Sequence, residues 1–106
     1  MSNIQNTARS VYVELGLPDA EAMAVKAQLV TEIADLIVGR KLTQTEAAKL
    51  FGMPQPKLSN LLRGQFRGVS ERKLMDCLTR LGRDVEIVIK PAPRSRKEGR
   101  LSVVTA

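Results

Sequence analysis

Apolar side chains recur at helical spacing along most of this chain. Ala22, Val25, Leu29, Ile33, Leu36 and Ile37 form one stripe at a period of 3.6, which predicts a core-facing helix from about Ala20 to Val38. Asp19 is placed to cap it, Glu21 suits its positive end, and Gly39 closes it. Thr43 opens a second helix. Thr43 and Glu46 form a T-x-x-E capping box, and Ala47, Ala48, Leu50 and Phe51 are its candidates for burial. Gly52-Met53-Pro54 reads as a turn with Met53 directed inward. A third helix then starts around Pro54 to Pro56, is sealed by Leu58 and Leu61, and ends at Gly64. After a loop over Gln65 to Val69, Ser70 caps a further helix reaching about Leu81. Val69 and Leu74 are placed as a hydrophobic staple, Leu74, Leu78 and Leu81 point inward, and Gly82 is the stop.

The period then changes from helical to alternating. Val85-Glu86-Ile87-Val88-Ile89 predicts a short strand. A lone strand leaves its backbone groups unpaired, so it needs a partner. Two are available: the β-prone run Val11-Tyr12-Val13, itself readable as strand or helix start, or the same strand of a second subunit. The second assigns Val85, Ile87, Val88 and Ile89 to a dimer interface, with apolar residues of the last helix. The expected organisation is a partly ordered arm over 1–18, one domain over 19–89 and a basic disordered tail over 90–106.

The stretch from Leu42 to Gly64, LTQTEAAKLFGMPQPKLSNLLRG, carries most of the functional information. Ala48 lets two helices approach closely, Gly52 accepts the turn geometry, and Leu58 and Leu61 hold the second helix on the core. The outward positions of that second helix are Gln55, Lys57, Ser59, Asn60 and Arg63. Polar and basic residues there suit a helix lying in a DNA major groove. Gln55, at its start, is the leading base reader, because a glutamine amide can bond adenine at N6 and N7 together. Lys57 and Asn60 come next, although Lys57 can equally serve a phosphate. Ser59 either reaches a base or simply permits close approach. Gln44, with Thr43 beside it, can hold a phosphate at the helix N-terminus or be an ordinary exposed residue. Arg63 and Arg67 follow the recognition turns and are assigned to the DNA backbone. Pro56 either touches a thymine methyl or stiffens the helix start. The bland reading of the whole stretch is a structural helical hairpin, against which the capping box, turn chemistry and polar outward face coincide.

Composition narrows the alternatives. A chain of 106 residues makes one domain with a modest core. Its net charge of +6 favours an anionic partner. Lys90, Arg94, Arg96, Lys97 and Arg100 against Glu98 supply +4 of that, and residues 42–64 carry +2, so the charge lies on the reading unit and the tail. With no histidine and a single cysteine, His/Cys metal clusters and histidine-based nucleophilic catalysis are excluded, no nucleophile–base pair is evident, and neither enzyme nor cofactor is expected. Cys77 has no intrachain disulfide partner, which fits a reducing cytoplasm, and reads as a small buried hydrophobe. No apolar run reaches membrane-spanning length, and no signal pattern opens the chain. Single-stranded RNA recognition would need stacking platforms, and Tyr12, Phe51 and Phe66 are the only aromatics.

The same stretch resembles the Cro-type helix-turn-helix of the XRE family. The wider pattern is VYVELGLPDAEAMAVKAQLVTEIADLI before it and FRGVSERKL and LGRDVEIVI after it. Together these resemble the HigA-like antitoxin group over Val11 to Ile89. The resemblance implies an all-α, lambda-repressor-like five-helix bundle with a short C-terminal strand, acting as a homodimer on double-stranded DNA. It matches Gln44 to a phosphate-contacting glutamine and Gln55 and Asn60 to base readers, while Pro56 departs from the pattern. It also implies an alternative role, neutralising a cognate mRNA-cleaving toxin by direct binding. The reading of the residues themselves is a repressor of its own promoter, acting sterically at an inverted-repeat operator.

Overall fold

The computed structural model describes residues 20–106. Four helices lie among them: α1 (Ala20–Gly39), α2 (Gln44–Phe51), α3 (Gln55–Leu62) and α4 (Glu71–Arg80). The described part is thus all-helical, with four helices and no strand where five helices and a C-terminal strand were expected. Asp19 and Val11 to Val13 lie outside the described residues.

Helix α1 forms where the stripe predicts. Val25, Leu29, Ile33 and Ile37 are buried, with Leu36 packed at the edge of the core. Met23, Ala24 and Val30 are buried as well, so the covered face is wider than one stripe. Gly39 is the last helical residue, but the left-handed position falls on Lys41 (φ 57°), where Lys41 and Leu42 donate back to Val38 and Ile37 (both 3.0 Å). A lysine in that conformation costs on the order of 1 kcal/mol.

Helix α4 packs against α1. Lys26 of α1 donates to the Arg67 carbonyl (2.7 Å) and pairs with Glu71 at the start of α4 (3.5 Å). Ser70 caps α4 by accepting from the Lys73 amide (3.1 Å), and Val69 and Leu74 are both buried, as the staple requires. The centre of the core is Ile33, Phe51, Leu58, Leu61, Leu74, Cys77 and Leu81, one set drawn from all four helices and the turn after α4. Burial pushes the Cys77 thiol up, so it stays protonated and inert, the small buried hydrophobe expected.

Beyond α4 the structure departs from expectation twice. Residues 83–93 have no regular secondary structure, so the strand at Val85–Ile89 is not formed in the single chain. The physical reason is the one that demanded a partner: among the described residues no second strand offers its backbone groups. Val85 packs at the core edge, while Ile87, Val88 and Ile89 are exposed. The basic segment from 90 onward has no helix or strand either, yet it folds back. Val103 packs against the core, and the Leu101 amide donates to the Glu21 carboxylate of α1. Among the described residues no helix is long and apolar enough to cross a membrane, and no group of ligand residues is arranged for a metal.

Candidate nucleic-acid interface

Helices α2 and α3 build the candidate surface from local rules. Thr43 adopts an extended conformation (φ −76°, ψ 162°); its hydroxyl accepts from the Glu46 amide (3.0 Å), and Glu46 accepts from the Thr43 amide (2.8 Å). The capping box is complete. The Thr43 amide, and then its side chain, hold the Glu46 carboxyl below the ordinary glutamate range. A depressed carboxylate stabilises the fold above its unfolded pKa, and that contribution goes as pH falls through the lower, folded value. The cap therefore loosens only on acidification below the usual glutamate range. Thr43→Ala is expected to lower stability by about 1 kcal/mol, read as a fall in the urea midpoint with unchanged slope.

Gly52 ends α2 in the left-handed conformation (φ 67°, ψ 38°), which a glycine adopts without strain. The Met53 amide reaches back to Ala48 (3.0 Å), and Met53 is buried beneath the turn. The remaining carbonyls at this helix end are met by cations from α4. Lys73 donates to the Phe51 carbonyl (2.8 Å) and Arg80 to the Leu50 carbonyl (3.1 Å). Asp76 holds both cations, at 3.6 and 3.0 Å. Positive charge at a helix C-terminus complements its dipole, so the clamp fixes the end of α2, and with it the turn leading to α3. Leu50, expected to be buried, is 39% exposed.

Helix α3 starts behind Pro54 (φ −62°, ψ 142°), with Pro56 in its first turn, where the missing N–H loses no helix bond. Leu58 and Leu61 are buried, 0% and 1% exposed, and anchor the helix. Gln55, Pro56 and Lys57 are exposed, and Ser59 and Asn60 half-buried. At 100° per residue, Pro56, Ser59, Asn60 and Arg63 lie opposite the buried leucines, with Gln55 and Lys57 on the two flanks. Pro56 thus sits within the outward face. Gly64 (φ 99°) closes the helix, and the Gln65 amide returns to the Asn60 carbonyl (2.9 Å).

Two side-chain contacts tie the candidate residues together. The Gln55 amide donates to the Gln44 amide oxygen at 2.9 Å, joining the start of α2 to the start of α3. Gln55 keeps its own oxygen and a second N–H, the pair that adenine N6 and N7 require, while Gln44 keeps its NH₂ for a phosphate oxygen. The Arg63 guanidinium donates to the Asn60 side-chain oxygen, leaving the Asn60 NH₂ as a donor. Thr43 is exposed beside Gln44, and Arg67 is exposed on the following loop, whose carbonyl Lys26 holds. Of the residues picked out from sequence, Gln44 with Gln55 and Asn60 with Arg63 are in direct contact. Lys57, Ser59 and Arg67 make no side-chain hydrogen bond among the described residues. The Lys73–Asp76–Arg80 clamp was not foreseen. Its only trace in the sequence is a Lys, Asp and Arg at helical spacing on the otherwise polar side of α4.

Comparison with known proteins agrees with this geometry. A family model described as a helix-turn-helix domain matches residues 11–90. A solved structure described as an XRE family transcriptional regulator is 43% identical, with a TM-score of 0.78, over 84% of this chain and 100% of that one. No curated protein matches the chain. The closed capping box, the glycine turn and a recognition helix seated by Leu58 and Leu61 thus recur where whole-chain similarity is strong, and the chain belongs to the XRE-type helix-turn-helix family of DNA-binding transcriptional regulators.

Proposed function

We infer that this regulator is a repressor that binds an inverted-repeat operator at its own promoter as a homodimer. The observation that carries the reading is the Gln44–Gln55 hydrogen bond. It presents one amide toward the backbone and one toward base edges from a single rigid pair, so phosphate positioning and base reading are coupled. In this reading Gln55, Lys57, Ser59 and Asn60 face bases, and Thr43, Gln44, Arg63 and Arg67 face phosphates. A dimer at a promoter acts by excluding polymerase. The free, buried Cys77 thiol fits a cytoplasmic location. No described surface singles out a toxin, so an antitoxin role adds nothing to this proposal.

Footprinting on the protein's own upstream DNA tests it. Two protected half-sites in inverted repeat are expected, about 34 Å apart or a multiple of that spacing. A single unpaired half-site would overturn the dimeric part of the reading.

A further inference from the structure

Residues 83–90 run past α4 as an extended segment fixed at both ends. The Arg83 amide is held by the Leu78 carbonyl (3.0 Å), and Leu101 and Val103 secure the chain further on. Between these anchors Ile87, Val88 and Ile89 are 79%, 78% and 93% exposed. Among the described residues no main-chain hydrogen bond involves the backbone amides of 84–90. Val85 and Ile87 lie over a shallow depression that Arg72, Met75 and Thr79 of α4 also line. A fixed, unpaired, apolar edge of this kind is a template for another strand.

We propose that this edge pairs antiparallel with the same segment of a second copy, in the register that places Ile87 opposite Ile87 on the twofold axis. The proposal rests on the homodimer inferred above and specifies how it forms. The sequence Asp84-Val85-Glu86-Ile87-Val88-Ile89-Lys90 is self-complementary in that register alone. Asp84 falls opposite Lys90 of the second copy, twice by symmetry. Val85 falls opposite Ile89, so Val85, Ile87 and Ile89 of both copies make one apolar stripe on the face turned toward α4. A parallel arrangement would set Asp84, Glu86 and Lys90 each against its own copy, placing like charges opposite each other. A shift by one residue would turn the apolar stripe over, and a shift by two would leave Asp84 opposite Ala92 or set Glu86 against Glu86.

The prolines agree with the same register. When Ile87 is a non-hydrogen-bonded pair, the ladder uses the amides of residues 84, 86, 88 and 90, giving roughly eight main-chain bonds across the dimer. Pro91 then falls at a position whose amide points away from the partner, where its missing N–H removes nothing.

Sedimentation equilibrium of the full chain without DNA tests the register by charge reversal. Asp84 and Lys90 are both exposed in the single chain, so circular dichroism should show D84K and K90D folded as the unchanged protein is. D84K alone sets lysine against lysine, and K90D alone sets aspartate against aspartate. Each should raise the dimer dissociation constant by roughly tenfold or more. Mixing the two variants restores opposite charges at both positions, so the mixture should return to the dimer affinity of the unchanged protein. A mixture as weak as its parts overturns the register, even if the unchanged protein is a dimer. An unchanged protein that stays monomeric overturns the pairing altogether, while preferential binding to its promoter, measured separately, would still support the DNA-reading proposal. In a second readout, I87C should form a disulfide-linked dimer on oxidation, because opposite non-hydrogen-bonded positions lie about 4.5 Å apart, and E86C should not. The reverse order of crosslinking would also overturn the register.

Discussion

Gln55→Ala is expected to weaken binding to the specific operator by about 1–3 kcal/mol and to relax preference at one base pair. Two losses combine. The adenine contact goes, and Gln44 loses the partner that orients its amide, which donates at 2.9 Å in the intact protein. Both glutamines are exposed, so thermal stability should hardly change. Gln44→Ala should act differently, weakening specific and nonspecific DNA alike through the lost phosphate contact. Titration of both variants against the operator and a set of single-base substitutions separates these effects. Unchanged operator affinity in Gln55→Ala would mean that α3 does not read the groove from its first turn.

Phe51→Ala should cost about 3–5 kcal/mol of stability. Phe51 is fully buried at the end of α2, where it meets the core residues contributed by α1, α3 and α4. Its carbonyl also receives the Lys73 ammonium, so a cavity there loosens both the core and the clamp on the turn. In a domain of this size each kcal/mol shifts the melting temperature by roughly 4–8 °C, which puts the expected fall above about 12 °C. Thermal unfolding followed by circular dichroism measures it. A fall of only a few degrees would mean that the core closes over the missing ring and that Phe51 is not its centre.

What could be read from sequence is what local chemistry determines. The Thr43–Glu46 box, the Gly52 and Gly64 helix ends and the Val69–Leu74 staple each involve residues within five positions of one another, and each forms. Leu58 and Leu61 were legible because their spacing matches one helix face. What escaped depends on contacts between distant segments. The Gln44–Gln55 bond needs two helix starts brought together across the turn. The Lys73 and Arg80 contacts reach carbonyls 22 and 30 residues away. Leu50 was misplaced because a short helix has one inward slot at its end, and Phe51 fills it. The strand was misplaced because alternation shows only that a segment can pair, whereas pairing requires a second edge. The fold-back at Leu101 and Val103 was hidden by the charge around them, which reads as a solvated tail.

The central claim is sequence-specific binding at the promoter. The direct measurement is a titration of the purified protein against its own upstream DNA and a scrambled sequence across a salt series. The account predicts that promoter binding survives physiological salt while binding to scrambled DNA falls away, because base contacts persist when phosphate contacts are screened. Equal, equally salt-sensitive binding to both sequences would contradict it, leaving only a nonspecific attraction of the +6 chain for a polyanion.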